Sequence, residues 1–134
     1  MASATCKDCA PGSTRPIKGL GRCATHLREV KAQRRATAAE LRRHKVYGLA
    51  SGEYDQIKAA QGGKCFICQR ATGAARALAV DHDHATGFVR GLLCGVCNKM
   101  LGHSRDDIEF FERAIDYLNN PPAQAMGLYR KGGG

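Results

Sequence analysis

The sequence predicts an α+β domain held together by bound metal more than by a large apolar core. Three observations predict it. The 134 residues contain no Trp, four Phe and four Tyr against sixteen Gly, and small domains with so few bulky core-formers usually need metals, disulfides or a partner chain. Seven cysteines and one histidine fall into close pairs of the Cys-x-x-Cys or Cys-x-x-His type. Segments with strand signals are interspersed among longer stretches of helix formers.

The cysteine spacing argues for zinc. Cys6, Cys9, Cys23 and His26 make one set of four, and Cys65, Cys68, Cys94 and Cys97 make another, with no cysteine left over. Two i, i+3 pairs converging on one point suit tetrahedral zinc, whereas an odd number of cysteines is awkward for disulfides. No apolar run of signal-peptide length opens the chain, so export is not expected and a reducing, cytoplasmic setting is. No stretch approaches the length needed to span a membrane, and no strongly amphipathic aromatic helix suits a membrane surface. Lys and Arg number 21 against 12 acidic residues, a formal charge of +9. That balance suits a polyanion, because basic side chains that neutralise phosphates release condensed counterions.

Taken in order, residues 1–26 form a zinc element whose Gly- and Pro-rich loop can bury little without its metal. Residues 27–45 lack Gly and Pro and predict one long helix. At roughly 100° per residue, Arg28, Lys31, Arg35 and Arg42 share a narrow face, arranged to lie along a nucleic-acid backbone. Beside them Leu27, Val30 and Leu41 make a stripe too sparse for deep burial. Gly48 should end this helix. Ser51 is the expected cap of a short helix that Gly62 and Gly63 stop.

The next segment carries the chemistry. Cys65 and Cys68 form a knuckle, and Leu78-Ala79-Val80 reads as a strand running into Asp81-His82-Asp83-His84. A turn at Ala85-Thr86-Gly87 leads to a second strand, 88–93, in which Gly91 permits a close approach or a bulge. Cys94 and Cys97 form the second knuckle, and a helix should start near Asn98. Ser104 to Asp107 resemble a capping box, and Ile108, Phe111, Ile115 and Leu118 recur at helical spacing. That predicts an amphipathic helix over 105–118 lying on the core. Asn119 to Pro122 should end it, leaving 121–134 as a flexible basic tail.

Phosphodiester hydrolysis needs an activated water and a means of neutralising charge on the phosphate and the leaving oxygen. Asp81 and the side-chain oxygen of Asn98 are hard donors of the kind magnesium prefers, and a histidine near neutrality can take a proton from water. His82 should point to the opposite side of the strand from Asp81. Asn98 follows a zinc-bound cysteine, which would hold it in place.

VDHDHATGFVRGLLCGVCN, with the upstream YGLASGEYDQIKAAQGGKCFIC, resembles the HNH, or ββα-metal (His-Me finger), nucleases of the phage recombination endonuclease VII type. The likeness runs from Tyr47 to about Leu118. It implies a zinc-braced ββα-metal nuclease core with flanking helices and an N-terminal zinc knuckle. It also implies a catalytic magnesium or manganese ion on Asp81 and Asn98, His82 as general base, and His84 binding phosphate or orienting the site. The expected organisation is a zinc element at 1–26, a basic helix or linker at 27–46, a nuclease domain at 47–120 and a tail at 121–134. The expected partner is DNA, linear or branched, and a homodimer is compatible with the family. If the gene is a phage's, the host cytoplasm is the setting.

Nicking or double-strand cleavage is the expected activity, with junction resolution as one alternative and a zinc-dependent nucleic-acid-binding protein without catalysis as another. A third is an accessory that docks to a partner protein through the C-terminal helix and uses the nuclease motif only within that assembly. Pairing His82 and His84 with Cys65 and Cys68 in a finger is disfavoured, since Cys94 and Cys97 would lose their partners and His-x-His is too short a spacing.

Overall fold

Leu20 and Gly21 adopt left-handed backbone, φ 51° and 68°, and a two-residue turn of that kind matches the twist of paired strands. It folds the loop after Cys9 into a small hairpin, β1 (Ile17–Gly19) antiparallel to β2 (Arg22–Cys23). No strand is expected at these residues from periodicity or composition. Helix α1 (Ala24–Tyr47) begins directly at the end of β2, with Cys23 as its N-cap. It starts three residues before the expected span, so His26 lies in its first turn. None of its residues is buried. Gly48, at φ 71°, ends it as expected by returning its N–H to the His44 carbonyl at 2.9 Å.

Residues 5–128 are described in this computed structural model, and they fall into two units, Met1–Gln56 and Ile57–Gly134. Helix α2 (Glu53–Ala60) spans the division. Ser51 does not cap it. Its hydroxyl donates instead to Glu40 at 2.6 Å, while Glu53 accepts from the Ala50 N–H at 2.7 Å. The Arg43 guanidinium lies 3.6 Å from the centroid of the buried Tyr54 ring, a cation–π contact within the first unit.

In the second unit Gly62 and Gly63, both left-handed, end α2 as expected. Strands β3 (Ala79–His82) and β4 (Val89–Leu93) form an antiparallel hairpin, and α3 (Gly95–His103) packs on both strands. The core is small: Cys65, Leu78, Val80, Leu92, Leu93 and Cys97. Asp81 pairs with Gly91 but His82 pairs with Val89, so Arg90 is an additional residue, a bulge. In a regular ladder Arg90 would share His82's face, and the bulge turns it to the face of Asp81.

Gln61 sits against the free edge of β4. Its amide accepts from the Leu92 N–H at 2.8 Å and donates to the Leu92 carbonyl at 2.8 Å, acting as a one-residue strand. A Cβ on Gly91 would come within 2.8 Å of the Gln61 Oε1, so the close approach anticipated at this glycine is to a side-chain amide.

Two expectations fail here. Ser104 does not open the next helix: it is buried, and its hydroxyl donates to the Leu101 carbonyl at 2.8 Å to close α3. Asp107 caps α4 (Ile108–Asn119), accepting from the Glu109 N–H at 2.9 Å. Helix α4 is strongly two-faced, yet none of its residues is buried, and Ile108 and Leu118 are 73% and 76% exposed. It therefore does not cover the core, because the hairpin and α3 already enclose what little there is. A short helix, α5 (Pro122–Ala125), follows within the stretch expected to be tail, whose last residues, 129–134, lie outside the described residues.

Candidate active site and metal centres

Both cysteine-rich sets are assembled by the same local device. A knuckle supplies two sulfurs, a hairpin follows, and the helix after it begins on a ligand at its N-cap with another three residues on. Those helix-borne pairs are Cys23 with His26 on α1 and Cys94 with Cys97 on α3. Residues three apart in a first turn share a face, so one ion can take both.

The spacing of the donors fits zinc. Zn–S bonds of about 2.3 Å and Zn–N bonds of about 2.0 Å in a tetrahedron place sulfurs roughly 3.8 Å apart and sulfur from nitrogen roughly 3.5 Å apart. Cys9 and Cys23 Sγ are 3.8 Å apart, and His26 Nδ1 lies 3.3, 3.4 and 3.5 Å from the sulfurs of Cys6, Cys9 and Cys23. In the second set Cys68 and Cys94 Sγ are 3.9 Å apart. These distances are far too long for disulfides, and all seven cysteines are free. In each set the donor atoms lie within 4.8 Å of one another.

The electrostatics agree. Burial pushes the Cys6 thiol up, but the Cys23 N–H and the His26 ring outweigh it and bring the thiol down to about 6. The backbone N–H groups of Ala71 and Arg70 lower Cys68 to about 6. Burial, then the neighbouring thiols, push Cys97 up to about 12. Four thiolates this close cannot all ionise without a cation among them. Both sets could therefore hold structural zinc.

The hairpin braced by the second set carries the acid and imidazole groups. Asp81, 7% exposed, is held by Arg90, whose Nε donates to one carboxylate oxygen at 2.8 Å and whose Nη2 donates to the other at 3.1 Å. Nη2 also donates to Asp106 Oδ1 at 3.1 Å, and Asp106 Oδ2 lies 2.9 Å from His84 Nδ1. The His84 and His82 rings meet edge to face, centroids 5.0 Å apart. His84, then Arg90, hold the Asp106 carboxyl below the ordinary aspartate range, and two carboxylates raise the Arg90 guanidinium further. Asp83 turns the hairpin: its carboxylate accepts from the N–H groups of Thr86 (2.8 Å) and Ala85 (2.9 Å), which lowers its pKa.

Asp81, His82 and His84 thus belong to one connected group. Asn98 lies on α3, half-buried, its N–H on the Cys94 carbonyl at 2.9 Å, and it is not among the residues lining the cavity beside Asp81. One turn further along, Leu101 joins Asp81 and Arg90 in lining a cavity of 260 Å³ whose other walls are Phe66, Ile67 and residues 91–93. Arg90 and Asp106 are the members that sequence reasoning missed. Arg90 stands in the quoted motif, but only the bulge brings it to Asp81, and Asp106 was assigned to a helix cap. In the first unit Arg28, Lys31, Arg35 and Arg42 are all exposed.

A hairpin braced by four cysteines that presents carboxylate and imidazole groups in a basic chain has donor chemistry of the kind phosphodiester hydrolysis needs. Residues 40–120 match the family described as recombination endonuclease VII, and the chain belongs to that family, which implies a nuclease acting on DNA. Two phage proteins are similar to it along most of their length. The Gene 59 protein of Mycobacterium phage L5 is 56% identical over 128 residues, spanning 91% of this chain and 78% of the relative. The Gene 59 protein of Mycobacterium phage D29 is 55% identical over the same shares of both chains. Among the described residues no helix is long and apolar enough to cross a membrane.

Proposed function

We propose that this protein is a metal-dependent HNH endonuclease with a ββα-metal core at 47–120, which nicks DNA or cuts both strands. The reading is carried by the buried carboxylate of Asp81, which lines a cavity together with Arg90 and Leu101. The donor set suits magnesium or manganese: Asp81 and Asn98 offer oxygen, and a carboxylate has about four lone-pair sites, so the two that Arg90 uses leave room for a cation. Such an ion, held by Asp81 and Asn98, would neutralise charge on the phosphate and the leaving oxygen.

The chain's own residues do the rest. His82 takes the proton of the attacking water on a ring nitrogen, and His84 orients the site. Arg90 holds Asp81 in place through a two-point contact that a lysine could not reproduce. The basic helix at 27–46 supplies sequence-independent contacts to the DNA backbone through Arg28, Lys31, Arg35 and Arg42. The host-cell cytoplasm is the proposed setting.

The test is incubation of the purified, zinc-loaded protein with supercoiled, linear and branched DNA, with magnesium or with EDTA. Conversion of supercoiled circles to nicked ones only with magnesium is expected. His82→Ala should lose on the order of 10²- to 10⁴-fold in rate and keep its DNA affinity. Wild-type protein that binds DNA and cuts none of the three substrates refutes the proposal. Junction resolution is the second reading, favoured by the family's description as recombination endonucleases, and preferential cleavage of the branched substrate by a homodimer would select it.

A further inference from the structure

Asp106 lies at the junction between the helix that follows the second knuckle and the helix after it, outside the DHDH and Asn98 positions. Its N–H closes α3 on the Leu101 carbonyl at 3.1 Å. With Arg105 it adopts left-handed backbone, φ 54° and 58°, a conformation uncommon for residues other than glycine and best tolerated by Asn and Asp. That turn sends its side chain back to the hairpin, where its two oxygens engage residues 22 and 16 positions earlier in the chain, His84 and Arg90. The carboxylate side chain is 22% exposed, and neither oxygen is left over.

An isolated surface ion pair contributes little. This one is a link in a continuous run, Asp81–Arg90–Asp106–His84, which ends 5.0 Å from the His82 ring. The chemistry of its last bond is restrictive. An ionised carboxylate can only accept hydrogen bonds, so the nitrogen facing it must carry a proton. A carboxylate on Nδ1 fixes which tautomer the ring adopts and which way it faces.

We propose that Asp106 is a positioning residue of the nuclease site: it holds the His84 proton on Nδ1, leaves Nε2 as an acceptor on the side of the ring away from Asp106, and steadies Arg90 against Asp81. The assignment rests on the nuclease reading, and its test separates the two. Long-range proton–nitrogen spectra of the zinc-loaded full chain without divalent metal, with His84 identified through His84→Asn, read the tautomer directly. In wild type, Nδ1 of His84 should be protonated. Asp106→Asn, whose amide can donate, should move the ring toward the Nε2–H form.

With magnesium, plasmid nicking by Asp106→Asn should fall on the order of 10²-fold in kcat with little change in KM. Melting temperature and zinc content should stay at wild-type values, and Asp106→Glu should recover part of the rate. Unmoved His84 resonances in Asp106→Asn, or nicking at the wild-type rate, overturn the proposal. So does a wild-type His84 whose Nδ1 is unprotonated, a result that needs no variant to fold. If wild type never nicks and the tautomer still responds, the nuclease reading fails and the Asp106–His84 bond stands.

Discussion

Replacing Gln61 by Ala removes a side chain that behaves as a piece of β-sheet. Its amide makes two part-buried bonds to the N–H and carbonyl of Leu92, each 2.8 Å, and a more exposed bond to the Lys64 carbonyl at 3.0 Å. The Leu92 carbonyl keeps a second partner, the Phe66 N–H at 3.3 Å, so only the Leu92 N–H is left without one. A net hydrogen bond stabilises by about 1 kcal/mol, and an unsatisfied buried donor costs about 1–3 kcal/mol. With the exposed bond counted as negligible, Gln61→Ala should destabilise the second unit by about 2 kcal/mol. For a unit of this size that is a fall of roughly 10 °C in melting temperature. The assay is urea unfolding with zinc in excess, followed by circular dichroism: the midpoint should fall with the slope unchanged. Gln61→Glu should be no better, since it keeps an acceptor for the N–H but sets a carboxylate against two carbonyls. A loss below about 0.5 kcal/mol for Gln61→Ala, the range of ordinary surface changes, would refute the claim that the amide serves as the missing strand.

Zinc added at pH 7 to chelator-stripped protein should bind at two ions per chain and release protons. The Cys97 and Cys9 thiols each contribute a full proton, because without metal both are held protonated at pH 7. Calorimetry in buffers of different ionisation enthalpy measures the release, and a buffer-independent heat would contradict it. Changing Arg28, Lys31, Arg35 and Arg42 together to Gln should weaken binding to all DNA sequences alike. If each contacts a phosphate, the slope of log K against log salt should become shallower by up to about 3.6, since each neutralised phosphate contributes about 0.9. An unchanged slope removes α1 from the interface. Replacing Ile115 and Leu118 on α4 by Ser should alter unfolding free energy by less than about 0.5 kcal/mol, because both are exposed. A loss of several kcal/mol would show that this face is covered.

The cysteine sets were legible because a ligand's spacing states its chemistry directly: i, i+3 pairs can serve one ion whatever the rest of the chain does. The hairpin was legible from the β-rich runs either side of Ala85-Thr86-Gly87. Arg90 was not: Gly91 allowed for a bulge in β4, but which side chain that bulge turns, and toward which partner, leaves no periodic mark. Ser104 was misread for a related reason. A hydroxyl before acidic residues caps a helix on either side of it equally well on paper, and only burial decides which. The face of α4 misled because helical spacing of apolar residues reports that a side wants cover, without saying what supplies it.

One consequence of starting both helices on a ligand concerns orientation about the long axis. A zinc ion on Cys23 and His26 would tie the first turn of α1 to one point and set the azimuth of the whole rod, about 36 Å long at 1.5 Å per residue over 24 residues. Each residue along it is then aimed by the bond geometry at one end. Chelation would free the rod to roll even if its backbone stayed helical, and arginines a dozen residues away would turn together, losing their fixed heading relative to the ligand set. At α3 the same constraint acts over a single step, from Cys97 to Asn98, where there is almost no length over which an angular error could grow.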